Sequence, residues 1–140
     1  EMQQNITIIY PVHLNPNVKK PVNTILKDNK NINLIEPLDY DKFVYLMNKS
    51  YLILTDSGGL QEEGPALGKP VLIMRKTTER PEGVKTGVMR LVGTNIDTIV
   101  TNVLEVIQDK TVYKKMSTAF NPYGDGTSSE KILTILRSLF

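Results

Sequence analysis

Short apolar runs alternate with stretches of helical spacing along the first two thirds of this chain, and that alternation constrains its fold more than any other feature. Ile6-Thr7-Ile8-Ile9-Tyr10 reads as a buried strand closed by Pro11. Asn31 to Ile35, Tyr51 to Thr55, Val71 to Met74 and Val88 to Val92 read as four more. Between them, Val18, Val22, Ile25 and Leu26 recur at helical intervals, and Asp39 stands where it can cap a helix carrying Tyr40, Phe43, Val44 and Met47. Gly58 to Leu67 reads as a helix ended by Gly68-Lys69-Pro70, and residues 75–87 as a loop rich in charge and Thr. Strands separated by helices mean βαβ units and a parallel sheet, with right-handed crossovers placing helices on both faces. The strands are short and nearly all apolar, as strands covered on both faces should be.

Three helical segments follow. Ile96, Ile99, Val100, Val103, Leu104 and Ile107 form one apolar stripe, and residues 111–119 suggest a short second helix. After a turn-rich loop at residues 121–126, Thr127-Ser128-Ser129-Glu130 offers an N-terminal cap to a last helix faced by Ile132, Ile135, Leu136 and Leu139. At 140 residues the chain is sized for one domain, 1–140.

Composition removes several chemistries. There is no Cys, so disulfides, thiolate catalysis and Cys-based metal sites are excluded, and His13 is the only histidine, so a multi-His metal site within one chain is excluded too. A net charge of +2 is too balanced to argue for nucleic acid. No apolar run approaches the roughly 20 residues that span a bilayer. Residues 1–5 lack the basic start and apolar run of a signal peptide, so a cytoplasmic location is expected. The chain begins with Glu and enters a strand pattern almost at once, which fits a segment of a longer protein.

In parallel sheets of this kind, ligands sit outside the C-terminal strand ends, so the chemistry belongs in the loops after strands. The richest follows the third strand: Thr55-Asp56-Ser57-Gly58-Gly59, running into a helix. Glycines permit a sharp turn and close backbone approach, and a helix N-terminus attracts anions, most simply phosphate. Ser57 adds a hydroxyl donor. The same residues also read as a plain strand-to-helix turn with a Ser cap, and the run is neither a P-loop nor a GxGxxG fingerprint. Glu62 and Glu63 lie in the first turns of that helix, where they complement its dipole; a carboxylate there can also accept both hydroxyls of a ribose. Pro65 cannot donate to the carbonyl of Gln61 and shortens or kinks the helix.

The loop after the fourth strand, Arg75-Lys76-Thr77-Thr78-Glu79-Arg80-Pro81-Glu82-Gly83, reads either as a solvated charged loop or as a pyrophosphate grip, with Glu79 and Glu82 orienting the arginines. Phe43 can pack on a base or belong to the core. His13 can act as a general base, or hydrogen-bond a ligand or a neighbouring carbonyl.

Taken in order, these segments resemble the non-hydrolysing UDP-N-acetylglucosamine 2-epimerase family. The stretch from Thr55 to Gly87, TDSGGLQEEGPALGKPVLIMRKTTERPEGVKTG, looks like that family's signature; YPVHLNPNV (Tyr10 to Val18), PLDYDKF (Pro37 to Phe43) and the end from Asn121 to Lys131 match in their expected places. The resemblance covers almost the whole chain. It implies a Rossmann-like α/β domain, a three-layer parallel sheet with helices on both faces, forming the C-terminal, UDP-binding half of a two-domain architecture of glycosyltransferase-B type. The family interconverts UDP-N-acetylglucosamine and UDP-N-acetylmannosamine by eliminating UDP and adding it back to the other face of a 2-acetamidoglucal, with no redox cofactor or metal.

Carried over residue by residue, the resemblance implies that Ser57, Gly58 and Gly59 hold the diphosphate, Glu63 binds the ribose, Arg80 binds the diphosphate side, and Phe43 and Leu38 border the uracil. It links His13 to a second, allosteric UDP-N-acetylglucosamine. The family's proton-handling acids and a His-Arg-Arg-Glu-Asn stretch belong to its first domain and do not occur here, so this chain is expected to bind without turning over. The implied partners are UDP, UDP-N-acetylhexosamines, the N-terminal domain of the same enzyme and a second subunit of a homodimer, in a cytoplasmic route to cell-surface polysaccharide. Half of a UDP-sugar glycosyltransferase, or a non-catalytic UDP-binding module, are the competing readings. A phosphorylatable receiver domain is excluded because Tyr10-Pro11 stands where paired acids are needed.

Overall fold

The computed structural model describes residues 6–139; the N-terminal stretch read for a signal peptide, residues 1–5, lies outside the described residues. The elements run β1 (Ile8–Pro11), α1 (Pro16–Leu26), β2 (Ile32–Ile35), α2 (Tyr40–Lys49), β3 (Ile53–Thr55), α3 (Leu60–Ala66), β4 (Val71–Ile73), α4 (Pro81–Thr86), β5 (Met89–Leu91), α5 (Ile96–Gln108), α6 (Lys110–Ser117) and α7 (Ser128–Arg137). Every strand pairing is parallel, and each follows a helical crossover. This is the expected Rossmann-like α/β arrangement. Its ladders form two sets, β1-β2 and β3-β4-β5. The chain groups into two compact units, one up to Tyr45 and one from Leu46.

In the first unit, Ile8 stands opposite Ile32 and Pro11 opposite Ile35. Pro11 is the last residue of β1 rather than a stop before it. The amides of Ile8 and Val12 donate across to Asn31 and Ile35 at 2.8 and 2.9 Å. Donors toward β2 therefore fall on even positions, and Pro11 occupies a position where no N–H is needed. The expectation that this strand is buried does not hold: Ile8 is 49% and Ile9 44% exposed. A two-stranded ladder with so little packed against it cannot cover both faces. α1 begins properly, with Pro16 in its first turn and the Asn15 side chain accepting from the Asn17 amide at 2.9 Å.

In the second unit, β4 lies between β3 and β5, and Val71, Leu72 and Ile73 are all fully buried. Successive residues of a strand face opposite sides. Leu72 enters a cluster with Val92, Val106 and Met116, which brings α5 and α6 onto one face. Val71 points toward Gly64 of α3 on the other. Only β4 among the described strands meets the expectation of double coverage, since Leu54 of β3 is 41% exposed. A Cβ at Gly64 would stand 2.5 Å from Val71 Cγ2 and 3.1 Å from Ile53 Cδ1. Gly64→Ala should therefore destabilise the protein by about 1–2 kcal/mol, because overpacking against a stiff β-branched side chain outweighs the helix propensity that Ala adds. Urea unfolding would register the loss; a variant as stable as the parent would mean that α3 can slide away from β4.

Caps explain most boundaries. α3 ends in a Schellman pair, Lys69 N–H to Gly64 C=O at 3.1 Å and Gly68 N–H to Pro65 C=O at 3.0 Å, with Gly68 at φ +66°. Asp109 closes α5 and opens α6, accepting from the amides of Thr111 and Val112, and these bonds hold its carboxyl below the usual range. Two expectations are corrected. Residues 75–87 are not all loop: Pro81 starts α4 and Gly87, at φ +84°, ends it, the Pro-in, Gly-out asymmetry of short helices. Thr127 takes the N-cap position of α7 but does not cap it, because its amide and hydroxyl both donate to Asp125. The apolar face of α7 is present and lies in solvent, with Ile135 60% exposed. Among the described residues, no helix is long and apolar enough to cross a membrane.

Candidate functional site

The loop after β3 is built from the buried end of the strand outward. Thr55 is buried, and its hydroxyl accepts the Ser57 amide at 3.0 Å. The Ser57 N–H is thus used within the loop, and Ser57 offers a ligand its hydroxyl. The Gly58 and Gly59 amides have no acceptor among the described residues and stand at the free end of α3. Neither glycine has positive φ; Gly59 is helical at φ −64°, ψ −40°. The turn itself therefore does not require them, contrary to the sequence expectation. What they provide is space: a Cβ on either would meet nothing within 4 Å.

Gln61, one turn into this structure, is fully buried. Its Nε2 donates to the Ser57 carbonyl at 3.2 Å, and its Oε1 accepts from the Thr78 hydroxyl. Thr78 Oγ1 in turn accepts the Arg80 amide at 2.9 Å. Arg80 Nε donates to Glu62, and its Nη1 donates to the Glu79 carbonyl at 3.2 Å. Its Nη2 edge has no partner among the described residues and remains available to an anion. The hydrogen bond and charge of Glu62 raise the Arg80 pKa, with Glu82 and Tyr123 adding smaller contributions. The pair is about 40% exposed on each side, so its worth lies in orientation more than in stability.

Of the acids expected to orient the arginines, Glu79 does so, gripping Arg75 through two bonds of 2.6 and 2.7 Å, which lower the Glu79 pKa and raise that of Arg75. For Arg80 the partner is Glu62 instead. α3 presents Glu62 toward the second loop, whereas Glu82 lies in the first turn of α4. The Glu63 carboxylate has no protein partner among the described residues, so of the two adjacent glutamates it is the one left for a ligand. Tyr123 packs over Gly83, where a Cβ would stand 2.4 Å from its hydroxyl. Burial raises the Tyr123 pKa, helped by the charge of Glu82.

Ser57, Gly58, Gly59, Glu63 and Arg80 thus belong to one connected assembly in the second unit. His13, Leu38 and Phe43 lie in the first. His13 is exposed, and its Nδ1 accepts the Asn15 amide at 3.1 Å, which leaves the proton of the neutral ring on Nε2. Leu38 precedes α2 and Phe43 sits in its first turn, both half-buried, with the Phe43 amide bonded to the Asp39 carbonyl at 2.9 Å. Asp39 directs its side chain to Lys42 at 2.8 Å. Sequence reasoning missed Gln61 and Thr78 altogether; a Gln two residues after a Gly-Gly turn carries no signal of burial.

The sequence model of the UDP-N-acetylglucosamine 2-epimerase family matches residues 1–137. The chain belongs to this family. A UDP-N-acetylglucosamine 2-epimerase of Yersinia pestis is 60% identical over 133 residues, which are 95% of this chain and 35% of that relative. The solved structure of a Listeria monocytogenes relative superposes with a TM-score of 0.90 at 46% identity, covering 96% of this chain and 36% of that one. The UDP-N-acetylglucosamine 2-epimerase of Neisseria meningitidis, solved with UDP-N-acetylglucosamine bound, superposes with a TM-score of 0.86 at 48% identity, covering 94% of this chain and 36% of that one. The chain therefore spans about a third of the length of these epimerases.

Proposed function

We propose that this chain is the UDP-binding, C-terminal domain of an enzyme that interconverts UDP-N-acetylglucosamine and UDP-N-acetylmannosamine. The observation that carries the reading is the convergence, at one loop pair, of the Ser57 hydroxyl, two unpartnered glycine amides and an arginine that Glu62 holds through Nε with its Nη2 edge free. Those donors suit a diphosphate, and the unpartnered Glu63 suits the hydroxyls of the adjoining ribose. Leu38 and Phe43 are assigned to the border of the uracil and His13 to a second, allosteric UDP-N-acetylglucosamine.

The reaction proceeds by departure of UDP from the sugar and its return to the other face. Breaking the anomeric carbon–oxygen bond leaves negative charge on the departing diphosphate. Donors already oriented toward that oxygen stabilise the transition state more than the ground state. Gly58, Gly59, Ser57 and Arg80 do this work. The general acid and base come from the part of the enzyme that this chain does not match, so residues 1–140 bind nucleotide without turning it over. The whole enzyme acts in the cytoplasm as a homodimer, with a first domain facing this one.

An NMR titration of the protein with UDP, with AMP as control, tests the assignment. UDP should shift Ser57 to Glu63, Arg80 and Phe43, and AMP should leave them in place. Equal shifts with both nucleotides, or UDP shifts elsewhere, would refute it.

A further inference from the structure

We infer that Gln61 and Thr78 are positioning residues that hold the Ser57-Gly58-Gly59 turn and Arg80 in mutual register for a diphosphate; this rests on the UDP-binding reading above. The two loops are separate in sequence, and the one backbone hydrogen bond between them among the described residues lies at their root, from the Met74 N–H to the Thr55 carbonyl at 2.8 Å. A relay of side chains joins them. The Gln61 Nε2 donates to the Ser57 carbonyl, the Thr78 hydroxyl donates to Gln61 Oε1, and the Arg80 amide donates to the Thr78 hydroxyl. Thr78 therefore uses its hydroxyl as donor and acceptor at once, which no apolar or amide side chain of its size can reproduce.

The relay also closes on itself. Glu62, the residue after Gln61, receives the Arg80 Nε. Arg80 is thus anchored to two consecutive residues of α3, through its backbone by way of Thr78 and through its side chain by way of Glu62. Gln61 is fully buried, and no buried side-chain nitrogen or oxygen lacks a partner among the described residues. Thr78 is half-buried beside Gln61, so displacing the Thr78 hydroxyl strands the Gln61 amide away from water, and this buried centre of the network favours one geometry. Its effect on ligand binding is transmitted through groups that Gln61 and Thr78 do not themselves present to the ligand.

Thr78→Val keeps the shape and removes the hydroxyl, whereas Thr78→Ser keeps the hydroxyl. UDP affinity of the folded protein should fall about tenfold in Thr78→Val, the scale on which outer partners of binding groups act, and should stay within about twofold in Thr78→Ser. In an Arg80→Ala background Thr78→Val should cost less than about twofold more, since its effect passes largely through Arg80. Should Thr78→Val fail to fold, the double variant Gln61→Met with Thr78→Val removes the buried amide together with its partner, leaves only the Ser57 carbonyl and Arg80 amide of an exposed and a half-exposed residue to find water, and should fold with the same affinity loss. Undiminished affinity in Thr78→Val, or an equal loss with and without Arg80, would overturn the inference. A readout without nucleotide separates it from the UDP reading: Thr78→Val should move the amide resonances of Ser57 and Gly58, about twenty residues away in sequence and reached through Gln61. Shifts confined to residues flanking position 78 would sink the relay whether or not the protein binds UDP.

Discussion

Arg80→Ala should weaken UDP binding by roughly 10- to 100-fold while leaving the fold intact, since a hydrogen bond to a charged group contributes about 1.5–3 kcal/mol and tenfold is about 1.4 kcal/mol. The side chain is half-exposed, and its partner Glu62 can be solvated once Arg80 is gone, so the melting temperature should hardly move. Arg80→Lys should not restore affinity. A single ammonium can satisfy Glu62 or the diphosphate, but it lacks the planar edge that lets Nε face the protein while Nη2 faces the ligand. Glu63→Ala should also weaken UDP binding without unfolding, through the ribose. Calorimetric titration with UDP measures each variant directly. Normal affinity in folded Arg80→Ala and Glu63→Ala together would remove this loop pair as the nucleotide site.

The largest stability effect belongs to Leu72→Ala, which should cost about 2–5 kcal/mol. Leu72 is fully buried at the middle of β4, with β3 and β5 fixing its backbone on either side and Val92, Val106 and Met116 packed on its side chain. A strand held by ladders on both edges cannot move inward to fill the void, so the residual cavity adds to the lost transfer energy. Urea unfolding with an unchanged m-value would report it. Loss below about 1 kcal/mol would mean that α5 and α6 close over the gap. Ile135→Ala on α7 is the contrasting control: its side chain is 60% exposed, and the change should stay within about 0.5 kcal/mol.

Much of the fold was legible because hydrophobic period reports secondary structure directly. The five apolar runs are the five strands, shortened at their ends, and the Ile96-to-Ile107 stripe is α5. The short α4 escaped notice because six residues hold too few turns to display a period, although Pro81 and Gly87 marked both its ends. The Thr127-to-Glu130 run offered a cap that the N-cap residue does not make, because Thr127 donates its hydroxyl to the local acceptor Asp125.

By itself, then, the sequence determined the order of strands and helices, the parallel α/β class and the loop pair that carries the polar residues. These depend on side-chain period, on Gly and Pro backbone limits, and on a strand-to-helix motif, all of which are local. The tertiary structure alone decided which acid meets which base, and which residues are buried. Glu62 rather than Glu79 or Glu82 receives Arg80 Nε, and Gln61 ties Ser57 to Thr78, because parallel pairing of β3 with β4 sets the two following loops side by side. Contacts across 17 or 18 residues follow from that register, and no local pattern encodes them.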